Sequence, residues 1–206
     1  MPLSGPRVVT MFVAVLVLAT LTAGCSNGSG ASRADGASLL GKLPMEDSIW
    51  THRFDGQFRK YSKRLFGVGF DWRWFKAQGI AESGLRPQAA SGAGARGIMQ
   101  LLPTTYQEIA GPNRAWLADI EDPRWNIAAG LLYDRYLYDL WENIDGEPLD
   151  RLAFTLASYN GGRRRTLRAQ ARCSAVDCDE WQAVAAYVPT ESRNYVEKIM
   201  GLMGIE

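Results

Sequence analysis

The sequence has one histidine, three cysteines and almost no excess of charge of either sign. Its 206 residues carry 23 Lys and Arg against 22 Asp and Glu, for a formal net charge of +1. Nucleic-acid-binding proteins usually show a basic excess or a basic stripe, so this balance argues against that class. With 47% hydrophobic and 22% charged residues, the composition is that of a globular protein and excludes a disordered or fibrous chain.

The scarcity of histidine and cysteine limits the chemistry available to the chain. A structural zinc site usually needs four Cys or His ligands, and the sequence offers only His52, Cys25, Cys173 and Cys178. We therefore expect neither a metal ion nor a cofactor. A Ser-His-Asp or Cys-His enzyme would depend entirely on His52, which we expect at the surface or between helices. Carboxylates and hydroxyls remain as the candidate catalytic groups.

Residues 1–24 are typical of a secretory signal peptide. Arg7 supplies a positive charge before Val8–Leu21, a largely apolar run of 14 residues. This run is short for a membrane-spanning helix, which needs roughly 20 apolar residues. The small residues that follow end in Leu21-Thr22-Ala23-Gly24-Cys25, which resembles the lipobox of bacterial lipoproteins. We therefore expect Cys25 to be lipidated; the alternative is a tethering helix with an incidental cysteine.

Residues 25–44 are expected to form a flexible tether after the signal peptide. Ser26–Ser38 is rich in Gly, Ser and Ala and has no large apolar residue, so it cannot bury enough surface to offset its ordering entropy. The remaining residues, 45–206, suit one domain with one core. Ser26 stands where an Asp is associated with retention in the inner membrane. In a two-membrane bacterium we therefore expect the periplasmic face of the outer membrane.

Apolar spacing predicts a mainly α-helical domain. Trp50, Phe58 and Leu65 belong to a series that recurs every three or four residues, as on one face of a helix. We expect Asp71 and Thr190 to act as N-caps. Residues 84–99 should form a loop or small hairpin because glycine interrupts them repeatedly. Further helices are predicted through Ile80, after Pro103, from Pro123 to Trp141, and from Leu149 to Gly161-Gly162.

The sharpest segment is Glu82-Ser83-Gly84, followed by Ser91–Leu101 with the sequence SGAGARGIMQL. Glu82 would end an apolar helix and face the glycine-rich stretch. A carboxyl group beside apolar walls is harder to ionise, so its pKa rises and it can act as an acid near neutral pH. On its own, however, a glutamate in this position is more often a solvated charge at the end of a helix.

Two later segments favour a catalytic role for Glu82 over that of a solvated charge. Ala157–Gly162 (ASYNGG) closes one predicted helix, and Pro189–Val196 (PTESRNYV) opens the last one. Together the segments resemble the catalytic domain of the soluble-lytic-transglycosylase (SLT) family of peptidoglycan-cleaving enzymes. Its pattern runs E-S, G-A-x-G-(L/I)-M-Q, A-x-Y-N-x-G and E-(S/T)-R-x-Y-V. All the motifs stand here in that order, from about Trp72 to the C-terminus, which makes the resemblance specific.

The resemblance implies a lysozyme-like α domain with a glycan cleft and Glu82 as its single catalytic acid. Glu82 would protonate the glycosidic oxygen between N-acetylmuramic acid and N-acetylglucosamine. The same carboxylate would then take the proton of the muramic C6 hydroxyl, which attacks C1 and closes a 1,6-anhydro ring. No water is consumed. Other positions that match substrate-binding residues of the family are Ser83, Ser91, Met99, Gln100, Tyr159, Asn160, Glu191 and Tyr195.

Several of these positions have plainer interpretations. Met99 and Tyr195 stand at helical spacing and could belong to the core, and Asn160 could be a helix C-cap. Arg163–Arg165 is a basic cluster where the family is usually less charged. It would either contact carboxylates of peptidoglycan stem peptides or form a solvated helix face, and the second is favoured. Cys173 and Cys178 are separated by four residues, and export favours a disulfide between them.

Three functions follow from these observations. The leading one is a lytic transglycosylase whose partners are peptidoglycan strands and a membrane, the latter through lipid on Cys25. The second is a hydrolase like goose-type lysozyme, which would need a second carboxylate to activate water. The third is a catalytically inactive glycan-binding or scaffold lipoprotein. No nucleic-acid partner is expected, and the sequence indicates no particular protein partner.

Overall fold

Helices account for almost all of the regular structure. The computed structural model describes residues 50–113, 117–174 and 177–205, so the predicted signal peptide, Cys25 and the predicted tether lie outside the described residues. The mainly α prediction is confirmed. The helices are α1 (Asp55–Phe66), α2 (Arg73–Ser83), α3 (Pro103–Asn113), α4 (Pro123–Leu140), α5 (Pro148–Gly161), α6 (Arg163–Arg172), α7 (Trp181–Val184) and α8 (Thr190–Leu202), with a 3₁₀ turn at Ala185–Tyr187. Within these ranges no helix has the length and apolar character needed to cross a membrane.

Acidic side chains and prolines define where two of the central helices begin. Asp122 Oδ1 accepts a hydrogen bond from the backbone N–H of Arg124 at 2.8 Å, and Pro123 takes the first helical position of α4. α5 begins in the same way with Pro148, and Asp150 Oδ2 accepts from the N–H of Glu147 at 3.0 Å. The predicted start of α4 is therefore confirmed.

Two predicted N-caps are wrong by one position. Trp72 is the N-cap of α2, although Asp71 Oδ1 still accepts from the backbone N–H of Arg73 at 3.0 Å. Pro189 is the N-cap of α8, because its extended backbone precedes the first helical residue, Thr190. α1 also starts later than its apolar series, so Trp50 precedes the helix.

Two groups of buried side chains hold the helices together, and α2 contributes to both. The first group includes Phe58 of α1, Phe75 of α2 and Ile127 of α4. The second includes Ala77 of α2 and joins α5 to α8. Fully burying a phenylalanine side chain contributes about 1.5–3 kcal/mol to folding. The C-terminal end of α2, where Glu82 lies, is therefore fixed from both sides.

The glycine-rich stretch is a compact loop fastened to α4. In the described part of the chain its strand pairing is limited to single bridges, from Ala90 to Arg96 and from Arg96 to Leu101, so the predicted hairpin is present only in this reduced form. Asn126 of α4 holds the loop through its side-chain amide. At Gly97, where φ is +73°, an added Cβ would lie 2.3 Å from Asn126 Nδ2, so this position requires glycine.

The chain after α5 carries the remaining cysteines and the basic cluster. Cys173 and Cys178 form the predicted disulfide, with their Cα atoms 5.8 Å apart. Arg163 donates a hydrogen bond to the carbonyl of Leu140 at 3.2 Å, so it links α6 to the end of α4. The other two arginines of the cluster, Arg164 and Arg165, are exposed.

Gly161 lets α5 and α8 approach each other, because an added Cβ would lie 2.3 Å from Ser192 Oγ and 3.3 Å from Ser192 Cβ. We expect Gly161→Ala to lower the free energy of unfolding by about 1–3 kcal/mol through overpacking. Adding Ser192→Ala removes the hydroxyl and should recover part of that loss. The coupling between the two substitutions is measured from the free energies of unfolding in urea of the parent, both single variants and the double variant. If the two losses of free energy simply add, Gly161 and Ser192 are not in contact in this way.

Candidate active site

Glu82 lies in the last turn of α2 at the junction of two cavities. It is half-buried. The larger one, called here the main cavity, has a volume of about 750 Å³, and the smaller one, the inner pocket, extends from it towards α5. Glu82 and Gln100 line both. The main cavity is also lined by Arg53, Arg86, Pro87, Gln88, Ala89, Ala90 and Ser91, and the inner pocket by Leu101, Leu102, Thr105, Tyr133, Tyr159 and Asn160.

The surroundings of Glu82 shift its pKa to about 7. Removal from water is the largest cause and favours the neutral form, and the negative charge of Glu191 acts in the same direction. Two groups oppose this shift: the hydroxyl of Tyr195, which donates a hydrogen bond to Glu82 Oε1 at 2.6 Å, and the positive charge of Lys198. A carboxyl group with this pKa is present in both protonation states at neutral pH, so it can both give and accept a proton.

Two buried tyrosines place hydroxyl groups around this carboxyl group. Tyr195 of α8 contacts Glu82 directly, and Tyr159 of α5 donates a hydrogen bond to the carbonyl of Met99 at 2.8 Å. Burial, reinforced by the charge of Glu82, raises the pKa of both tyrosines well above the ordinary value. Both phenols therefore stay neutral and act as hydrogen-bond donors.

Three other predicted substrate-binding residues lie at the cavities. Gln100 adopts a left-handed backbone (φ 45°), and its Nε2 donates to the carbonyls of Gly97 at 2.9 Å and Ala89 at 3.2 Å. Strained backbone of this kind concentrates at functional sites. Ser91 Oγ accepts from the N–H of Ala95 at 3.0 Å at the wall of the main cavity. Asn160 Oδ1, in the inner pocket, accepts from a serine of α8 at 2.8 Å.

Two of the predicted substrate-binding residues lie in the interior, and for Met99 this agrees with the alternative prediction that it belongs to the core. Met99 is fully buried and packs against Gly130, where an added Cβ would come within 2.7 Å of it. Ser83 is also buried, and its Oγ donates to the carbonyl of Ile98 at 2.9 Å. Neither side chain has a surface to offer to a glycan, so both hold the loop in place. Glu191 is exposed at the start of α8 and acts on Glu82 through its charge.

A buried polar pair beside the site was not predicted. Asp134 of α4 is fully buried, and Gln78 Nε2 donates to its Oδ1 at 3.0 Å. Within the described ranges, Asp134 Oδ2 and Gln78 Oε1 have no hydrogen-bond partner. Burial raises the pKa of Asp134 well above its ordinary value, and the charge of Glu82 adds to the shift, so both favour the neutral form of this carboxyl group. Its place on the apolar face of α4, seven residues after Ile127, is the signal that could have identified it.

The arrangement provides a titratable carboxyl group at a cavity with a volume of about 750 Å³. In the described part of the chain, the histidines, cysteines and carboxylates form no group that could hold a metal ion. His52 is exposed, as one of the two sequence interpretations had it. The groups at the cavities that can act on a ligand include Glu82, the two tyrosine hydroxyls, and the amides of Gln100 and Asn160.

Comparison with known proteins identifies relatives of this chain. The model of the family described as Transglycosylase SLT domain matches residues 67–182. The chain is 34% identical over 139 residues to a membrane-bound lytic murein transglycosylase F of Marinobacter nauticus, covering 66% of this chain and 26% of that protein. It is 35% identical over 123 residues to a protein of the same name from Desulfosudis oleivorans, covering 59% and 26%. The chain thus spans about a quarter of the length of these relatives.

Solved structures share the fold. The 70 kDa soluble lytic transglycosylase of Escherichia coli superposes with a TM-score of 0.60 at 23% identity, covering 72% of this chain and 23% of that one. An inactive mutant of the lytic transglycosylase Slt from Pseudomonas aeruginosa gives a TM-score of 0.59 at 24% identity, covering 78% and 24%. The predicted lysozyme-like helical fold is confirmed.

Proposed function

The chain belongs to the Transglycosylase SLT domain family, and from this premise we propose that it is a peptidoglycan lytic transglycosylase. It would cleave the β-1,4 bond between N-acetylmuramic acid and N-acetylglucosamine and leave 1,6-anhydro-muramic ends. The observation that carries the proposal is Glu82, a carboxyl group with a pKa of about 7 that lines both cavities and accepts a hydrogen bond from Tyr195. The relatives named lytic murein transglycosylase F support the same assignment.

The first step of the proposed reaction uses neutral Glu82. Its proton passes to the glycosidic oxygen as the bond from muramic C1 to that oxygen breaks, and the N-acetylglucosamine side leaves as an alcohol. Glu82 is then a carboxylate beside a positively charged muramic ring. The Tyr195 hydroxyl stabilises that carboxylate, since a hydrogen bond to the charged form is stronger than one to the neutral form.

The second step uses the carboxylate formed in the first. Glu82 takes the proton from the C6 hydroxyl of the same muramic residue while O6 bonds to C1, which closes the anhydro ring and regenerates neutral Glu82. The nucleophile belongs to the substrate, so its attack has the advantage of proximity and no water is required. One residue that acts first as acid and then as base needs a pKa near the working pH, as Glu82 has.

The carboxylates around the site favour this chemistry over hydrolysis. An inverting glycosidase needs a second carboxylate to activate water on the opposite face of the sugar. Of the described residues that line the two cavities, Glu82 is the one carboxylate. Asp134 is fully buried, and Glu191 is exposed away from the lining. A non-catalytic glycan-binding protein would have no use for a carboxyl group held at this pKa.

Polar groups at the cavities are proposed to orient the sugars. Asn160 accepts from Ser192 through Oδ1, which leaves its Nδ2 as a donor for the carbonyl of an acetamido group. Gln100, between the main cavity and the inner pocket, is proposed to contact the sugar on each side of the broken bond. The hydroxyl groups of Ser91 and Tyr159 are proposed to contact the same glycan strand.

The proposed location is the cell envelope, and relatives are named membrane-bound. Residues 1–24 would be removed, Cys25 would carry the lipid, residues 25–44 would be the tether and residues 45–206 the catalytic domain. The site would then face peptidoglycan from the periplasmic side of the outer membrane in a two-membrane cell. Mass spectrometry of the mature N-terminus tests this: a diacylglycerol-modified Cys25 supports it, and an intact Met1 contradicts it.

The activity is tested by digesting purified peptidoglycan with the full chain in detergent and identifying the products by mass spectrometry. Products with 1,6-anhydro-muramic ends support the transglycosylase. Products heavier by one water, with reducing ends, would identify a hydrolase. Binding of strands by the folded chain without any product would favour the non-catalytic alternative.

The pH dependence should follow the protonation of Glu82. Because the acid form starts the reaction and its pKa is about 7, kcat/KM should fall about tenfold for each pH unit above pH 7. The Tyr195 hydroxyl favours the charged form and so lowers the pKa of Glu82. Tyr195→Phe should therefore move the alkaline fall to higher pH while lowering the maximum rate. Profiles of kcat/KM against pH for both proteins check this, and an unmoved alkaline limb would contradict it.

A further inference from the structure

We propose that Arg53 and Arg86 bind a carboxylate of the peptide stem attached to the muramic residue, which makes the segment before α1 part of the substrate site. The inference rests on the proposed function and names a part of the substrate that the catalytic residues do not contact. Both arginines line the main cavity together with Glu82, and both are exposed to its interior and to solvent.

Among the described residues, 50–113, 117–174 and 177–205, neither Arg53 nor Arg86 forms an ion pair with a carboxylate. Arg86 Nε donates to the carbonyl of Ser83 at 2.8 Å, which holds this side chain at the end of α2. The Cζ atom of Arg53 lies 5.1 Å from the centroid of the Phe54 ring. Both guanidinium groups belong to the lining of the main cavity and are therefore available to an anionic ligand.

A buried lysine fixes the segment that carries Arg53. Lys76 of α2 is 2% exposed, and its Nζ donates to the carbonyl of Thr51 and to Asp55 Oδ1. These partners lie on both sides of Arg53 in the sequence. The segment is thus tied to the helix that ends at Glu82. Burying an ammonium group is unfavourable unless hydrogen bonds and an opposite charge compensate for its removal from water. Lys76 therefore favours the backbone conformation that keeps Thr51 and Asp55 in contact with it.

The backbone next to Arg53 is strained. Phe54 has a φ of +65°, in the left-handed region that a non-glycine residue rarely adopts. Such strain persists only where the surrounding structure imposes it. The family model matches residues 67–182, so Arg53 and Phe54 lie outside the matched range and Arg86 lies within it.

The chemistry of the substrate supplies the matching anion. The sugar rings and their acetamido groups are neutral, whereas the stem peptide on the muramic lactyl group carries free carboxylates. Arginine recognises a carboxylate through two parallel hydrogen bonds, which gives both strength and orientation. A carboxylate bound at Arg53 and Arg86 would place the muramic residue on the main-cavity side of Glu82.

The test compares Arg53→Gln and Arg86→Gln with Arg168→Gln, an exposed arginine of α6 that serves as the control. Three forms of glycan strand are used: peptide-bearing strands, the same strands with their carboxylates converted to amides, and strands stripped of peptide by an amidase, which keep only the lactyl carboxylate. We expect each site variant to lower kcat/KM about tenfold on peptide-bearing strands and to match the parent on amidated strands. Arg168→Gln should match the parent on every strand.

Each other result overturns the proposal. If kcat/KM of Arg53→Gln or Arg86→Gln on peptide-bearing strands equals that of Arg168→Gln, the arginine does not bind a carboxylate of the substrate. If kcat/KM falls as much on amidated strands as on peptide-bearing strands, the role of the arginine is structural. An equal loss on stripped strands identifies the lactyl carboxylate as the ligand instead. Binding of the three strands is also measured in the Glu82→Gln background, with and without Arg53→Gln. These binding measurements test the contact between the arginine and the carboxylate even if the parent forms no anhydro products. A lack of anhydro products would contradict only the proposed function.

Discussion

Glu82→Gln is expected to abolish anhydro-muropeptide formation, with kcat/KM at least about a thousandfold below the parent. General acid–base catalysis typically contributes 10²–10⁴-fold, and in this site one residue supplies both the acid and the base. A glutamine has no proton to give to the glycosidic oxygen and cannot take one from the C6 hydroxyl. Its side-chain oxygen can still accept the hydrogen bond that Tyr195 donates, so the geometry of the site is retained. Initial rates of muropeptide release measure the loss.

Stability separates lost chemistry from lost folding in this variant. Burial raises the pKa of Glu82 from its ordinary 4.5 to about 7, so the unfolded chain holds the charged form more readily than the native protein. The native protein therefore loses stability as the pH rises between these two values. Glu82→Gln removes that dependence, and we expect its Tm at pH 8 to equal or exceed that of the parent.

An exposed glutamate on α8 provides the matched control. Glu197 pairs with Arg193 at the surface, with 3.8 Å between Oε1 and Nε. Glu197→Gln should keep full activity, because exposed pairs of this kind contribute little. Glu82→Gln activity within tenfold of the parent would contradict the assignment of Glu82 as the catalytic acid and base.

The helical framework was predictable because its information is local. α4 and α5 each begin with a proline behind an acidic residue, and apolar residues three and four positions apart mark their buried faces. The cap errors at Asp71 and Thr190 arose because the side-chain type alone does not say which residue leaves helical dihedral angles first.

The site was predictable only as a set of positions. The motif around Met99 and Gln100 left open whether Met99 contacts the substrate or belongs to the core, and in the structure Met99 is buried while Gln100 faces the cavities. Their separation depends on the left-handed turn at Gln100. The pairs Gln78–Asp134 and Lys76–Asp55 join residues 56 and 21 positions apart, and no local pattern encodes contacts of that range.

Asn126→Ala is expected to be the most damaging substitution outside the catalytic group. The side chain is fully buried, and its Oδ1 accepts from the N–H of Met99 at 2.8 Å. Its Nδ2 donates to the carbonyls of Arg96 at 3.0 Å and Ile120 at 3.1 Å. Alanine would leave the N–H of Met99 and the carbonyl of Ile120 without this partner, whereas the carbonyl of Arg96 keeps the hydrogen bond that it accepts from the N–H of Leu101 at 3.1 Å. Each unsatisfied buried group costs about 1–3 kcal/mol, so we expect a total loss of at least about 2 kcal/mol.

The loss should be concentrated in the loop that forms the main cavity. Asn126 ties residues 96 and 99 to α4, so without it the stretch from Gly84 to Leu101 should open before the helices unfold. Hydrogen exchange should show faster exchange there, and Gln100 would no longer be held beside Glu82, so activity should fall even where the helices persist. Asn194→Ala, at an exposed position of α8, is the control and should change the free energy of unfolding by less than about 0.5 kcal/mol. Unchanged protection of the loop in Asn126→Ala would show that the bridges of Arg96 hold it without α4.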